Sequence, residues 1–112
     1  MVFLGVITLG AAVAKNNESA PAPFSIGQYP KIRVLTAAAD CSAELKVETA
    51  AAAGASVLVT TAAAGYLLPA NTAIDIPMFP TGQTVSSTVT TRSILCAIST
   101  AGTTLRVWGL YA

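Results

Sequence analysis

Alternation with a period of two recurs along this chain and limits its fold more than any motif. In residues 31–37, KIRVLTA, Ile32 and Val34 take one parity while Lys31, Arg33 and Leu35 take the other. In residues 43–50, AELKVETA, Leu45 and Val47 oppose Glu44, Lys46 and Glu48. Such alternation is the signature of a half-buried strand, since successive side chains point to opposite faces of a sheet. Residues 93–111, SILCAISTAGTTLRVWGLY, carry it furthest. Ile94, Cys96 and Ile98 share one parity, and Leu105 and Val107 oppose Arg106, Trp108 and Leu110. Thr100-Ala101-Gly102 between the two runs reads as a tight turn, so the stretch predicts a β-hairpin.

The rest of the chain punctuates in the same style. GASVLVTTA (residues 54–62) is a dense Val/Thr strand, and the Ala runs at 50–53 and 62–64 read as loops or strand ends. GYLLPANTAIDIPMF (residues 65–79) holds two short extended pieces broken by Pro69 and Pro77. Residues 80–92 form a polar, Thr-rich loop or β-arm. No helix-length apolar period competes, so seven or eight short strands predict an all-β single domain, a β-sandwich or a small barrel.

The first 15 residues, MVFLGVITLGAAVAK, are apolar up to Lys15. The run is shorter than the roughly 20 residues a membrane-spanning helix needs, and Gly5, Gly10 and the β-branched Val6, Ile7 and Thr8 disfavour helix. Ala12-Val13-Ala14 imitates a signal-peptidase site, but no Lys or Arg precedes the apolar core as a signal peptide requires. The expectation is a retained, extended N-terminal β-arm, paired either with its own sheet or with a neighbour's. Pro21, Pro23 and Pro30 make the following segment an irregular tether, with residues 15–19 as its most exposed loop. This divides the chain into an arm and Pro-rich linker (residues 1–30) and a sandwich body (residues 31–112).

Only a tenth of the 112 residues are charged, whereas 54% are hydrophobic. A soluble domain usually has about a quarter charged residues. Either Thr, Ser and Ala cover the outside, or partners hide part of it. The six cations are scattered, with Lys31 and Arg33 the only local pair, so the concentrated basic face of a nucleic-acid binder is missing. The acids Glu18, Asp40, Glu44, Glu48 and Asp75 make no cluster.

Enzyme chemistry has little to stand on. There is no histidine, which removes the commonest general base and metal ligand. Glu44 and Glu48 share a parity with Lys46 and read as a solvated strand face. Cys41 and Cys96 lack a metal-type spacing and read as two reduced, buried thiols. No phosphate-binding loop occurs. Asn17-Glu18-Ser19 matches a glycan acceptor frame, which has meaning only in a secreted eukaryotic protein. No enzyme, cofactor or metal site is expected.

GYLLPANTAIDIP, followed after a polar loop by SILCAISTAGTTLRVWGLYA, resembles small tailed-bacteriophage virion proteins. The likeness covers the last 45 or so residues, from Gly65 to Ala112. It lies in the Leu68-Pro69-Ala70-Asn71 stretch, the strand after it, and the alternating C-terminal run. The chain departs from that pattern in its apolar N-terminus and Ala-rich middle. The resemblance implies a sandwich or jelly-roll body acting as a capsid decoration (cement) protein or a head fibre. It implies a place on the virion's capsid surface after assembly in the host cytoplasm. The partners it implies are the major capsid protein or other virion subunits, and further copies of the chain, for instance in a trimer, with no nucleic acid or membrane.

Interface candidates follow from the same reading. An arm can add a strand to a neighbour's sheet edge, which nominates Phe3, Leu4, Val6, Ile7 and Leu9. If Leu105 and Val107 face the core, then Arg106 and Trp108 face outward. Trp, Tyr and Arg are enriched at interface hot spots, which adds Arg106, Trp108, Tyr29 and Tyr111. A receptor- or glycan-binding module is the competing reading, with the Thr-rich loop at 81–92 as its variable face.

Overall fold

The computed structural model describes residues 1–19, 23–48, 65–78 and 92–111. They form eight strands: β1 (Val2–Leu9), β2 (Lys15–Asn16), β3 (Lys31–Thr36), β4 (Cys41–Glu48), β5 (Tyr66–Leu68), β6 (Thr72–Pro77), β7 (Arg92–Ile98) and β8 (Thr103–Leu110). No helix occurs among the described residues. The strands build two antiparallel sheets, ordered β1-β8-β3-β6 and β2-β7-β4-β5.

The pairing is nested. β1 pairs with β8, β2 with β7, β3 with β6 and β4 with β5. These are the pairs of one long hairpin doubled back after β4. Rolling that ribbon over brings β3 beside β8 and β4 beside β7. The result is a β-sandwich with jelly-roll connectivity.

Period-two patterning then places the core between the layers. The first sheet contributes Ile7, Leu9, Ile32, Val34, Ile76, Leu105 and Val107. The second contributes Leu68 and Leu95 with the smaller Cys41, Ala43 and Ala97. Large side chains on one layer against small ones on the other let the two faces interdigitate. Each fully buried Ile, Leu or Val contributes about 1.5–3 kcal/mol. β7 is buried on both faces: Ile94, Cys96 and Ile98 form a second cluster, against which Ala14 packs.

Three expectations need correction. The run at 93–111 holds two strands and a turn, and Gly102 takes the left-handed φ of +84°. The strands nevertheless lie in different sheets, so the turn is a corner and not a hairpin. Alternation assigns a strand's buried face but not its neighbour. The corner is held instead by Ser99, whose Oγ donates to Asp40 O at 2.7 Å and whose carbonyl accepts from Ala12 N at 2.7 Å.

The N-terminal run pairs with its own sheet. β1 pairs along its length with β8, and Ile7 and Leu9 enter the core. β2 likewise belongs to the second sheet, so residue 30 does not separate an arm from a body.

Residues 15–19 are no exposed loop. Asn16 and Asn17 are fully buried. Asn16 Oδ1 accepts from the amides of Glu18 and Ser19 at 2.8 and 2.7 Å, closing an Asx turn. Asn17 Oδ1 accepts from Leu95 N at 2.9 Å, and Asn17 Nδ2 donates to Phe24 O at 2.6 Å. The amide that the glycan frame would offer is therefore a structural plug. The strand expected at 54–62 and the Thr-rich loop at 80–91 lie outside the described residues.

Replacing Asn17 by Ala leaves the Leu95 amide and the Phe24 carbonyl without this partner in a buried site. An unmade buried hydrogen bond costs about 1–3 kcal/mol per group. Asn17→Ala is expected to lower unfolding free energy by about 2–4 kcal/mol in urea titrations, with the exposed-site control Ser25→Ala near zero. Equal effects of the two substitutions would rule the plug out.

Candidate interaction surface on the outer face of the first sheet

The inward commitment of Leu105 and Val107 turns Arg106 and Trp108 outward, as their parity requires. Arg106 is exposed and Trp108 half-buried. Cross-strand register then sets one row of side chains across all four strands. Phe3 stands opposite Trp108, Trp108 opposite Arg33, and Arg33 opposite Asp75. Phe3, 53% exposed, meets Trp108 edge-to-face with ring centroids 5.5 Å apart, the preferred geometry for aromatic pairs.

At the other end of the row Arg33 grips Asp75 with two bonds, Nε to Oδ1 at 2.7 Å and Nη2 to Oδ2 at 3.0 Å. That grip, with Lys31 adding a positive charge nearby, holds the Asp75 carboxyl below its ordinary range. Arg33 Nη1 also lies 3.8 Å from the Met1 sulfur. The pair is well exposed, so it orients the two side chains more than it stabilises the fold. The next row runs Val6, Arg106, Leu35, Ala73. Beside it lies an open cleft of about 460 Å³ lined by Leu35, Thr36, Ala37, Asn71, Thr104 and Arg106.

The nominated residues thus divide. Phe3, Val6, Arg106 and Trp108 come together on this face. Ile7 and Leu9 lie in the core, closed to any partner, and half-buried Leu4 packs against it. Leu4 sits at the β-bulge between Phe3 and Gly5, where Gly5 leaves room for the Phe24 ring. Tyr29 and Tyr111 form a separate tilted pair, centroids 5.7 Å apart. The Tyr29 ring lies so close over Gly109 that a Cβ there would meet it at 2.5 Å. Tyr111 itself is 70% exposed. Arg33, Asp75 and Met1 were not nominated. Register makes them part of the surface, since residues 33 and 75 come together only through the β3–β6 pairing.

Among the described residues, reactive groups do not converge. Among the described residues no three His, Cys, Asp or Glu side chains gather to hold a metal ion. Glu44 and Lys46 pair with each other at 3.3 Å. Cys41 belongs to the core between the sheets and Cys96 to the cluster on the other side of the second sheet. Both are free thiols. Burial pushes each up from 9.0 to about 11; facing Thr36 partly offsets this at Cys41, as Lys46 does at Cys96. A thiol held protonated is a poor nucleophile. Comparison with known protein families, with curated proteins and with solved structures returns no match.

Iodoacetamide at pH 8 should leave both thiols of the native protein unmodified, while the urea-unfolded chain takes up two equivalents by mass spectrometry. The folded thiol values exceed the unfolded one. Their contribution is therefore complete below about pH 9 and is lost as pH rises toward about 11. The urea midpoint should fall through that window, and less steeply in the Cys41→Ala/Cys96→Ala variant. Identical slopes would contradict the assignment.

Proposed function

We propose that this chain is a virion structural protein of a tailed phage. In this reading it is a decoration (cement) protein that sits on the capsid surface and strengthens the head by non-covalent contacts between neighbouring capsid subunits. The outer face of the first sheet carries the assembly part of this reading. There Phe3, Trp108, Met1 and the neutralised Arg33–Asp75 pair offer aromatic, apolar and bidentate polar groups on one rigid surface, the composition of an interface centre. The virion part rests on the resemblance of residues 65–112 and on a connectivity shared with many capsid domains. No catalytic role is proposed.

A second reading, a receptor- or glycan-binding module of a head fibre or tail, draws on the cleft beside Arg106. Asn71, Thr104 and Arg106 there could serve sugar hydroxyls. Binding on a glycan array that is lost in Arg106→Ala would favour it over the cement role.

Quantitative mass spectrometry of purified virions made by the genome that encodes the chain tests the main reading. The chain is expected at copy numbers comparable to the major capsid protein, with particles carrying Phe3→Asp/Trp108→Ala depleted in it at least tenfold. Absence of the wild-type chain from purified particles would overturn the virion assignment. Removing residues 1–14 is the wrong test, because it strips Ile7 and Leu9 from the core.

A further inference from the structure

The four sheet edges among the described residues are unequal. β2 has two residues and β5 three. β6 has six, but it carries Asp75 and ends in Pro77. Short length, charge, proline and β-bulges are the usual protections against edge-to-edge pairing. β1 lacks the first three: its eight residues, VFLGVITL, include no charge and no proline. Its one such device is the bulge at Leu4, close to its start, which leaves the regular run from Gly5 to Leu9 open. An edge strand turns alternate N–H and C=O groups away from its neighbour. Met1, Val2 and Phe3, each exposed, stand at its start.

We propose that β1 pairs antiparallel with β1 of a second copy, joining the two first sheets into one of eight strands about a two-fold axis at Val6. The bulge supports this register. Counting Leu4 as the extra residue, Val6 faces Val6 of the second copy, Gly5 faces Ile7, Phe3 faces Thr8 and Val2 faces Leu9. Every pair then matches inner with inner or outer with outer, as a continuous sheet requires. A strand without charges is electrostatically matched to its own copy. Among the described residues the cationic side chain set directly beside β1 is Arg106, opposite Val6 on β8. Three strand spacings, about 14 Å, separate it from Arg106 of the second copy, beyond the screening length of about 8 Å at physiological salt. Arg33 is neutralised by Asp75. The dimer goes beyond the virion reading and does not depend on it.

Sedimentation equilibrium and oxidative cross-linking of the full 112-residue chain test the pairing. The wild type should sediment at twice the chain mass. Val6→Lys, on the outer face, sets two ammonium groups opposite each other at the two-fold axis and should weaken association about 100-fold, with an unchanged circular dichroism spectrum. Directly opposed residues in an antiparallel pair lie about 4.5–5.5 Å apart at Cα, within disulfide reach. Val6→Cys should therefore form a disulfide-linked dimer under mild oxidation, at least tenfold faster than Ala73→Cys on the exposed β6 edge. A monomer at 200 µM, a trimer, or equal cross-linking at the two positions would overturn the pairing. None of these results bears on whether the chain is found in virions, so the two readings fail separately.

Discussion

β8 is the strand on which the rest of the molecule depends. It lies between β1 and β3, and pairs with both. Its inner residues Leu105 and Val107 are fully buried against the second sheet. The last strand of the chain thus closes the layer that the first strand begins: Val2 stands opposite Gly109. Contacts this distant in sequence are slow to form, because the chain loses loop entropy before the pairing stabilises it. Neither β1 nor β3 reaches its full complement of hydrogen bonds until β8 docks.

The same strand builds the outer surface. Because side chains alternate, seating Leu105 and Val107 inward fixes Arg106 and Trp108 outward. Register then hands Phe3 and Arg33 to Trp108 as cross-strand neighbours. The backbone positions of this surface are therefore fixed by the same strands that build the core, and preorganised backbone lowers the entropy lost on binding. Two glycines act on the opposite, inward side of the same strands. Gly5 leaves space for Phe24 and Gly109 for Tyr29, so aromatic rings close directly over backbone.

Alternation placed the buried faces of residues 31–36 and 103–110, and Trp108 and Arg106 on the outside. It did not distinguish Ile7 and Leu9 from Phe3 and Val6, since all four are apolar and the bulge at Leu4 shifts the phase between them. Asn16 and Asn17 were misread because two polar residues beside prolines look like a loop. The device that buries them is local: an Asx turn from Asn16 to the Glu18 amide two residues on, backed by Ser19. The Arg33–Asp75 grip had no local signature, since its partners are 42 residues apart.

By itself the sequence determined that this chain is all-β, and which faces of residues 31–36 and 103–110 are buried. Those properties follow from period-two alternation, side-chain chemistry and residue count, which are local or compositional. Tertiary structure decided which strands are neighbours, turned the expected hairpin into a corner between sheets, paired the N-terminal arm with its own sheet, and left β1, among the described residues, as the long edge without charge or proline. Pairing partners are chosen by nested long-range register and by the fit of large side chains on one sheet to small ones on the other. Neither is written in any single stretch of the chain.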